Sequence, residues 1–135
     1  MRVRTSLFDI VVNIICGILL FGMVIFLVAY WESIPDKIPM HYDLMGQVNR
    51  WGDKSEIVFL PIISFFLYFL LTVVEYFPSS WNTSVKITPY NRDKVYRMMK
   101  NLLVSTKLLM VVLFVFLSFQ TVFSLELTVW FMPIT

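Results

Sequence analysis

The sequence predicts an all-α membrane protein: three transmembrane helices, with a short ordered loop of hairpin character between the first and the second. Three observations predict it. Hydrophobic residues make up 59% of the chain and charged residues only 15%, against about 45–50% and about 25% in ordinary soluble domains. Three apolar runs are each long enough to cross a hydrocarbon core, which takes about 20 helical residues. Between the first two runs lies a polar stretch, "SIPDKIPMHYDLMGQVNRWGDK", that is punctuated by prolines and glycines. A chain of 135 residues is one domain at most, and a soluble domain of that size buries too small a share of its surface to hide so much apolar area. We therefore read residues 1–135 as a single integral membrane domain.

The spans are expected at residues 10–30, 57–77 and 102–124. In lipid a lone apolar segment satisfies its own backbone only as a helix. The first run follows Arg2 and Arg4, like the basic start of a signal peptide. It exceeds the usual apolar length of about 7–15 residues and lacks a following A-x-A site, so a retained helix is expected.

Lys and Arg set the orientation. Arg2 and Arg4 precede the first span, and Lys86, Arg92, Lys94, Arg97 and Lys100 lie in the connection 78–101. The loop 31–56 carries only Lys37, Arg50 and Lys54. The richer side is expected to be cytoplasmic, together with the N-terminus. Loop 31–56 and the C-terminus then face outward. Tyr30, Trp31, Trp51 and Trp130 would belong to the outer aromatic belt, and Tyr76 and Trp81 to the inner one.

Polar residues mark the faces that pair in the bundle. Asn13 and Gly17 are four apart beside Cys16; Ser64, Tyr68, Thr72 and Glu75 share one helical face; Ser118, Thr121 and Ser124 lie near another, with Gln120 close by. Such residues commonly hold membrane helices together through close approach and interhelical hydrogen bonds, and this reading outweighs a conduction path. Cys16, the lone cysteine, excludes an internal disulfide and reads as a packing residue. Two intramembrane charges, Glu75 and Lys107, stand out. A lysine at mid-bilayer costs about 2.5–3.5 kcal/mol, so Lys107 either snorkels or pairs with Glu75. Pro61 removes a backbone donor and is expected to kink the second span.

In the connection 78–101, Thr88 before Pro89 signals a helix start. Val95, Met98, Met99 and Leu102 recur at helical spacing, with the charges mostly on other faces. An amphipathic lead-in running straight into the third span is expected. Its basic face reads chiefly as a topology signal, with anionic headgroups as a lesser role. The "NTS" at Asn82 matches a glycosylation sequon but falls on the cytoplasmic side.

In the loop, Pro35 and Pro39 bias Ile34 and Ile38 towards extended backbone. "KIPMHY" reads as a strand, Gly46 suits a turn, "QVNRW" returns as a second strand and Gly52 breaks the chain again. Asp53 and Glu56, three apart ahead of the second span, resemble a capping box. The chain's single histidine, His41, and Asp43 share a strand face and, with Asp36, Glu32 and Asp53 nearby, form a weak metal-ligand set. Zinc favours several His or Cys ligands, and hydrogen bonding within the loop is the commoner role for such a histidine. No nucleophile–base pair and no phosphate loop is visible, so no enzyme, no cofactor and no nucleic-acid partner is expected.

Ile34, Pro35, Asp36, Ile38, Pro39, His41, Gly46, Trp51, Gly52, Lys54 and Pro61 carry a resemblance. Their pattern is similar to that of a small bacterial membrane domain of unknown function, found at the front of the Sdp-type immunity proteins and in short stand-alone membrane proteins. The later "VKITPYNRDKVYRMMKNLL" also resembles the segment that follows in stand-alone members. The resemblance covers about residues 10–103. It implies a bacterial inner-membrane location and, by analogy with proteins that protect a cell from a membrane-acting peptide toxin, a non-enzymatic immunity- or sensor-like role. Loop 33–54 would then be a recognition surface or a structural cap, with an extracellular peptide or a partner membrane protein as its contact. Sdp-type proteins carry a further membrane half after this domain, and longer stand-alone members continue into a fourth helix. The alternatives are a small accessory subunit of a larger membrane complex and, more weakly, a metal-binding loop at His41.

Overall fold

The computed structural model describes residues 3–42, 44–45 and 47–131. Three helices form the bundle: α1 (Leu7–Ala29), α2 (Phe59–Glu75) and α3 (Arg92–Phe131). A two-stranded antiparallel hairpin, β1 (Lys37–Tyr42) and β2 (Val48–Asp53), lies between α1 and α2. All three helices, the second taken with the 3-10 segment that begins at Lys54, are long and apolar enough to cross a membrane, so the chain is a multi-pass membrane protein with lipid as its environment.

Each helix boundary has a local cause. Ser6 caps α1 with a reciprocal capping box: Asp9 N–H donates to Ser6 Oγ (3.2 Å), and Ser6 N–H donates to Asp9 Oδ2 (3.0 Å). The helix therefore starts three residues before the apolar run, at Leu7 rather than residue 10. Thr88 and Asn91 make the same kind of box ahead of α3: Thr88 N–H donates to Asn91 Oδ1 (2.7 Å) and Asn91 N–H to Thr88 Oγ1 (3.3 Å). With Pro89 between them, α3 runs unbroken through the amphipathic lead-in into the third apolar run. A 3-10 segment, Lys54–Val58, leads into α2. Because α2 begins at Phe59 rather than residue 57, Pro61 falls in its first turn, where a missing N–H costs little.

α3 is the central helix. It packs against both α1 and α2, whereas α1 and α2 touch each other much less. On α1, Asp9, Val12, Cys16, Leu20, Met23 and Leu27 are buried; on α3, Lys100, Val104, Lys107, Val111, Ser118 and Val122 are buried. Both stripes advance in steps of three, four or seven, the spacing of one helical face. The other faces carry exposed Ile, Leu and Phe side chains, Ile18, Phe66 and Leu109 among them, as lipid contact requires.

In the lead-in, Val95 and Met99 are half-buried and Arg92 and Lys94 exposed, but two apolar and two basic positions lie the other way round. Met98 and Leu102 are exposed, while Lys100 is buried and Arg97 half-buried. In lipid Met98 and Leu102 turn outward, and these charges turn inward because a carboxylate waits for them there.

The interhelical polar contacts that were expected are made by Asn13, Tyr68, Thr72 and Glu75, whereas the hydroxyl donors mostly turn back on their own helices. Ser64, Thr72, Thr106, Ser118 and Thr121 donate their hydroxyls to carbonyls of their own helices. A Cβ added at Gly17 would meet nothing within 4 Å, so no neighbour approaches closely there.

Candidate functional site

Two constellations stand at opposite ends of the bundle. The first is the hairpin. Its register pairs Lys37 with Asp53, Ile38 with Gly52, Pro39 with Trp51, His41 with Arg50 and Tyr42 with Val48, with irregularities on either side of His41. β1 lies where the sequence places it, but β2 continues through Gly52 to Asp53 instead of breaking there. Lys54 N–H donates to Asp36 O (2.7 Å) and closes the base. Ile34, Ile38 and Ile57 are buried in the main core, and β1 lies against α3. The two-residue side-chain period leaves Trp51 and Lys37 on the outward side, both exposed. Leu44 and Met45, at the turn, are exposed as well.

The residues expected to cap α2 do other work. Asp53 begins the 3-10 segment with no side-chain cap hydrogen bond. Its carboxylate is instead paired with Lys37 across the strands. Glu56 Oε1 accepts from Arg50 Nη2 at 3.2 Å. The capping-box reading is therefore corrected: Lys37 on β1 captures Asp53 and Arg50 on β2 captures Glu56, which a local reading of D-x-x-E does not foresee. The Asp53 carboxylate beside Lys37 raises the lysine above its ordinary 10.5, chiefly through their hydrogen bond. Lys54 Nζ lies 4.5 Å from the centre of the Trp31 ring, a cation–π contact that ties the hairpin base to the end of α1. Pro35 and Asp36 are exposed at the entry to β1. Of the metal candidates, Asp43 lies outside the described residues, as do Gly46 and the His41 side chain. Among the described residues no group of three or more His, Cys, Asp or Glu is placed to hold a metal.

The second constellation is a cluster of charges at the other end, where α1 begins and α2 ends. Asp9 is 1% exposed. Arg97 Nη2 donates to both of its oxygens, at 2.7 and 2.9 Å, and Lys100 Nζ stands 3.4 Å from Oδ2. Arg97 Nη1 also donates to Arg4 O (2.7 Å) and Lys100 Nζ to Val3 O (3.2 Å). These contacts bind the chain start and α1 to α3. One to two turns deeper, Lys107 and Glu75 form a buried pair, Nζ to Oε2 at 2.6 Å. Lys107 Nζ further donates to Asn13 Oδ1 (2.8 Å) and Thr72 Oγ1 (3.3 Å). Asn13 Oδ1 also accepts from Tyr68 OH at 2.5 Å, and Asn13 Nδ2 donates to Asp9 O at 2.7 Å. All three ammonium donors of Lys107 thus have partners on the other two helices. Of the two fates open to Lys107, pairing is the one the structure contains.

A cavity of about 460 Å³ opens beside this cluster. α1 and α2 form its walls, with Asp9 and Asn13 on one and Tyr68 and Glu75 on the other, and Lys100 and Lys107 of α3 at its floor. A second, mainly apolar cavity of about 470 Å³ lies between Leu27 and Val28 of α1 and Ile57 and Pro61 at the start of the second span.

Asp9, Arg97 and Lys100 were not singled out from sequence as site residues. Two signals were available: Ser6-x-x-Asp9 is a cap pattern, and Arg97, Lys100 and Lys107 fall near one face of α3.

Residues 18–65 match the family described as a domain of unknown function, DUF1648. The match takes in the second half of α1, the whole hairpin and the start of α2. The chain is similar to that family over this stretch; no curated protein and no solved structure matches it. Every member of the charge cluster lies outside residues 18–65.

Proposed function

We propose that this chain is a non-enzymatic protein of the bacterial inner membrane, oriented with its charge cluster towards the cytoplasm and its hairpin outward, and that the hairpin is the recognition element of an immunity- or sensor-like activity. One observation supports this above the rest. The hairpin is anchored through Ile34 and Ile38 in the core, yet presents Leu44, Met45 and Trp51 outward. A loop that merely joined α1 to α2 has no need for exposed apolar side chains on a rigid base. Exposed apolar residues on an ordered element are what a contact surface for a peptide or a membrane protein requires.

Deleting the gene and challenging cells with a panel of membrane-active peptides tests the reading. Raised sensitivity to at least one peptide, restored by the wild-type chain and not by a Leu44→Asp/Trp51→Ala variant, is expected. Unchanged sensitivity across the panel contradicts it.

The accessory-subunit reading is supported by a separate observation, the apolar cavity between the end of α1 and the start of α2, which apolar side chains of a partner could fill. Purification in a mild detergent separates the two: a stoichiometric companion protein favours the subunit, and a lone monodisperse species removes it.

A further inference from the structure

We propose that the outer edge of β2 is a docking edge for an extended, basic peptide strand, which adds beside Trp51 as a third strand of the hairpin. This mode of binding rests on the hairpin being the recognition element, as proposed above. It follows from the backbone. In an antiparallel ladder, opposed residues alternate between pairs that exchange both hydrogen bonds and pairs whose N–H and C=O groups point away from each other. Lys54 N–H donates to Asp36 O (2.7 Å), which makes Asp36 and Lys54 a bonded pair. Along the register, Lys37–Asp53 is then unbonded, Ile38–Gly52 bonded and Pro39–Trp51 unbonded. The N–H of Asp53 and both the N–H and C=O of Trp51 therefore point to the outer edge of β2. Among the described residues no other backbone group takes them up.

The two edges of the hairpin are not equivalent. On β1 the residue opposite Trp51 is Pro39, which has no N–H to offer, and proline is a usual means of blunting an exposed edge. β1 is also the strand that lies against α3. β2 contains no proline, and its Trp51 and Asp53 are exposed. An open edge of this kind takes an extended segment through main-chain hydrogen bonds, with side chains supplying the selectivity. Trp51 offers an aromatic surface to an apolar side chain standing opposite it. Charge selects the rest. Loop 31–56 has five carboxylates against three cations, and each cation is already engaged: Lys37 by Asp53, Arg50 by Glu56 and Lys54 by the Trp31 ring. Glu32 and Asp36 are exposed, and among the described residues neither has an ion-pair partner. The strand that complements this surface is basic, not acidic.

A capped octapeptide of alternating lysine and valine, titrated against the full chain in a mild detergent, tests this. Asp53→Pro removes the outward N–H without straining the backbone, since Asp53 has φ −75°, within the range that proline fixes. Asp53→Asn loses the same charge and keeps the N–H. Asp53→Pro is expected to bind the octapeptide about tenfold more weakly than Asp53→Asn, the equivalent of about 1.4 kcal/mol. N-methylation of the four central amides of the octapeptide leaves the protein untouched and is expected to abolish binding. Equal affinity of the two variants overturns the proposal, as does binding that survives N-methylation or an absence of binding by the wild-type chain. A glutamate–valine octapeptide bound as tightly overturns the basic character of the strand. A dimer in sedimentation that Asp53→Pro dissociates would assign the edge to a second copy of this chain and overturn the peptide. Any of these results leaves the hairpin as the recognition element if Leu44→Asp/Trp51→Ala still abolishes protection in the peptide challenge, because recognition would then run through side chains alone.

Discussion

The two ends of this molecule use charge in opposite ways. At the hairpin, Lys37–Asp53 and Arg50–Glu56 are paired at the surface, with side chains 70%, 67%, 59% and 27% exposed. At the other end, Lys107–Glu75 and Asp9 with Lys100 are 7% exposed or less. Exposed pairs in water contribute little, because solvent screens them and ordering two long side chains costs entropy. A buried pair is different. Its net worth against an apolar replacement is small, but removing one partner strands the other in a low-dielectric setting. The hairpin is therefore held by Ile34, Ile38 and Ile57 and decorated with charges, whereas the opposite end depends on its charges being complete. The family match follows the same division: residues 18–65 span the hairpin and none of the buried charges. The stretch that matches the family runs from the middle of α1 through the hairpin into α2.

Breaking the buried pair is expected to have the largest effect. Lys107→Ala leaves Glu75 without its ammonium, and Glu75→Ala leaves Lys107 without its carboxylate. Each is expected to destabilise the detergent-solubilised protein by about 3–5 kcal/mol, while the paired apolar replacement Glu75→Leu/Lys107→Met recovers most of that loss. Chemical unfolding of the three variants measures the coupling, and additive losses would show that the pair is not a unit.

Ile38→Ala comes next. It removes a fully buried side chain from beneath the hairpin and is expected to cost about 2–4 kcal/mol. The loss should appear first as raised hydrogen exchange in residues 37–53, with the charged end unaffected. Exchange rising equally at both ends would contradict the division of roles.

Asp9→Asn keeps an acceptor for the Ser6 N–H but removes the charge facing Arg97 and Lys100. About 1.5–3 kcal/mol is expected from the lost charge-assisted bonds, with earlier proteolysis of the first residues, which Arg97 and Lys100 hold through Arg4 and Val3.

The smallest effect belongs to the hairpin surface. Because Asp53 raises Lys37 above 10.5, the contribution of this pair is present below that ordinary value. It is lost only as pH rises through the raised one. Asp53→Asn is therefore expected to leave the thermal midpoint unchanged at neutral pH, and a clear drop there would make the pair more than decoration.

Much of the hairpin was legible in the sequence because its causes are local. Pro35 and Pro39 fix their own backbone angles and bias Ile34 and Ile38 towards extended backbone. Gly52 misled, because a glycine opposite Ile38 in a two-stranded ladder need not end the strand. The Asp53–Glu56 pattern misled because the competing cations, Lys37 and Arg50, come from elsewhere in the hairpin. The charge cluster was harder to read because it exists only where three helices meet. Lys107 and Glu75 could be paired by depth alone. Arg97 and Lys100 looked like topology signals until Asp9, nearly ninety residues away, was placed beside them. Met98 and Leu102 showed the same difficulty from the other side: helical spacing identifies an apolar face, but in lipid it does not say which way that face points.

The central claim is that recognition resides in the hairpin surface while stability resides beneath it and at the charged end. Peptide sensitivity, measured in cells carrying the Leu44→Asp/Trp51→Ala chain at wild-type abundance, tests it most directly. The account predicts sensitivity as high as in cells lacking the gene, from a protein whose thermal midpoint matches wild type. Full protection by that variant would contradict it.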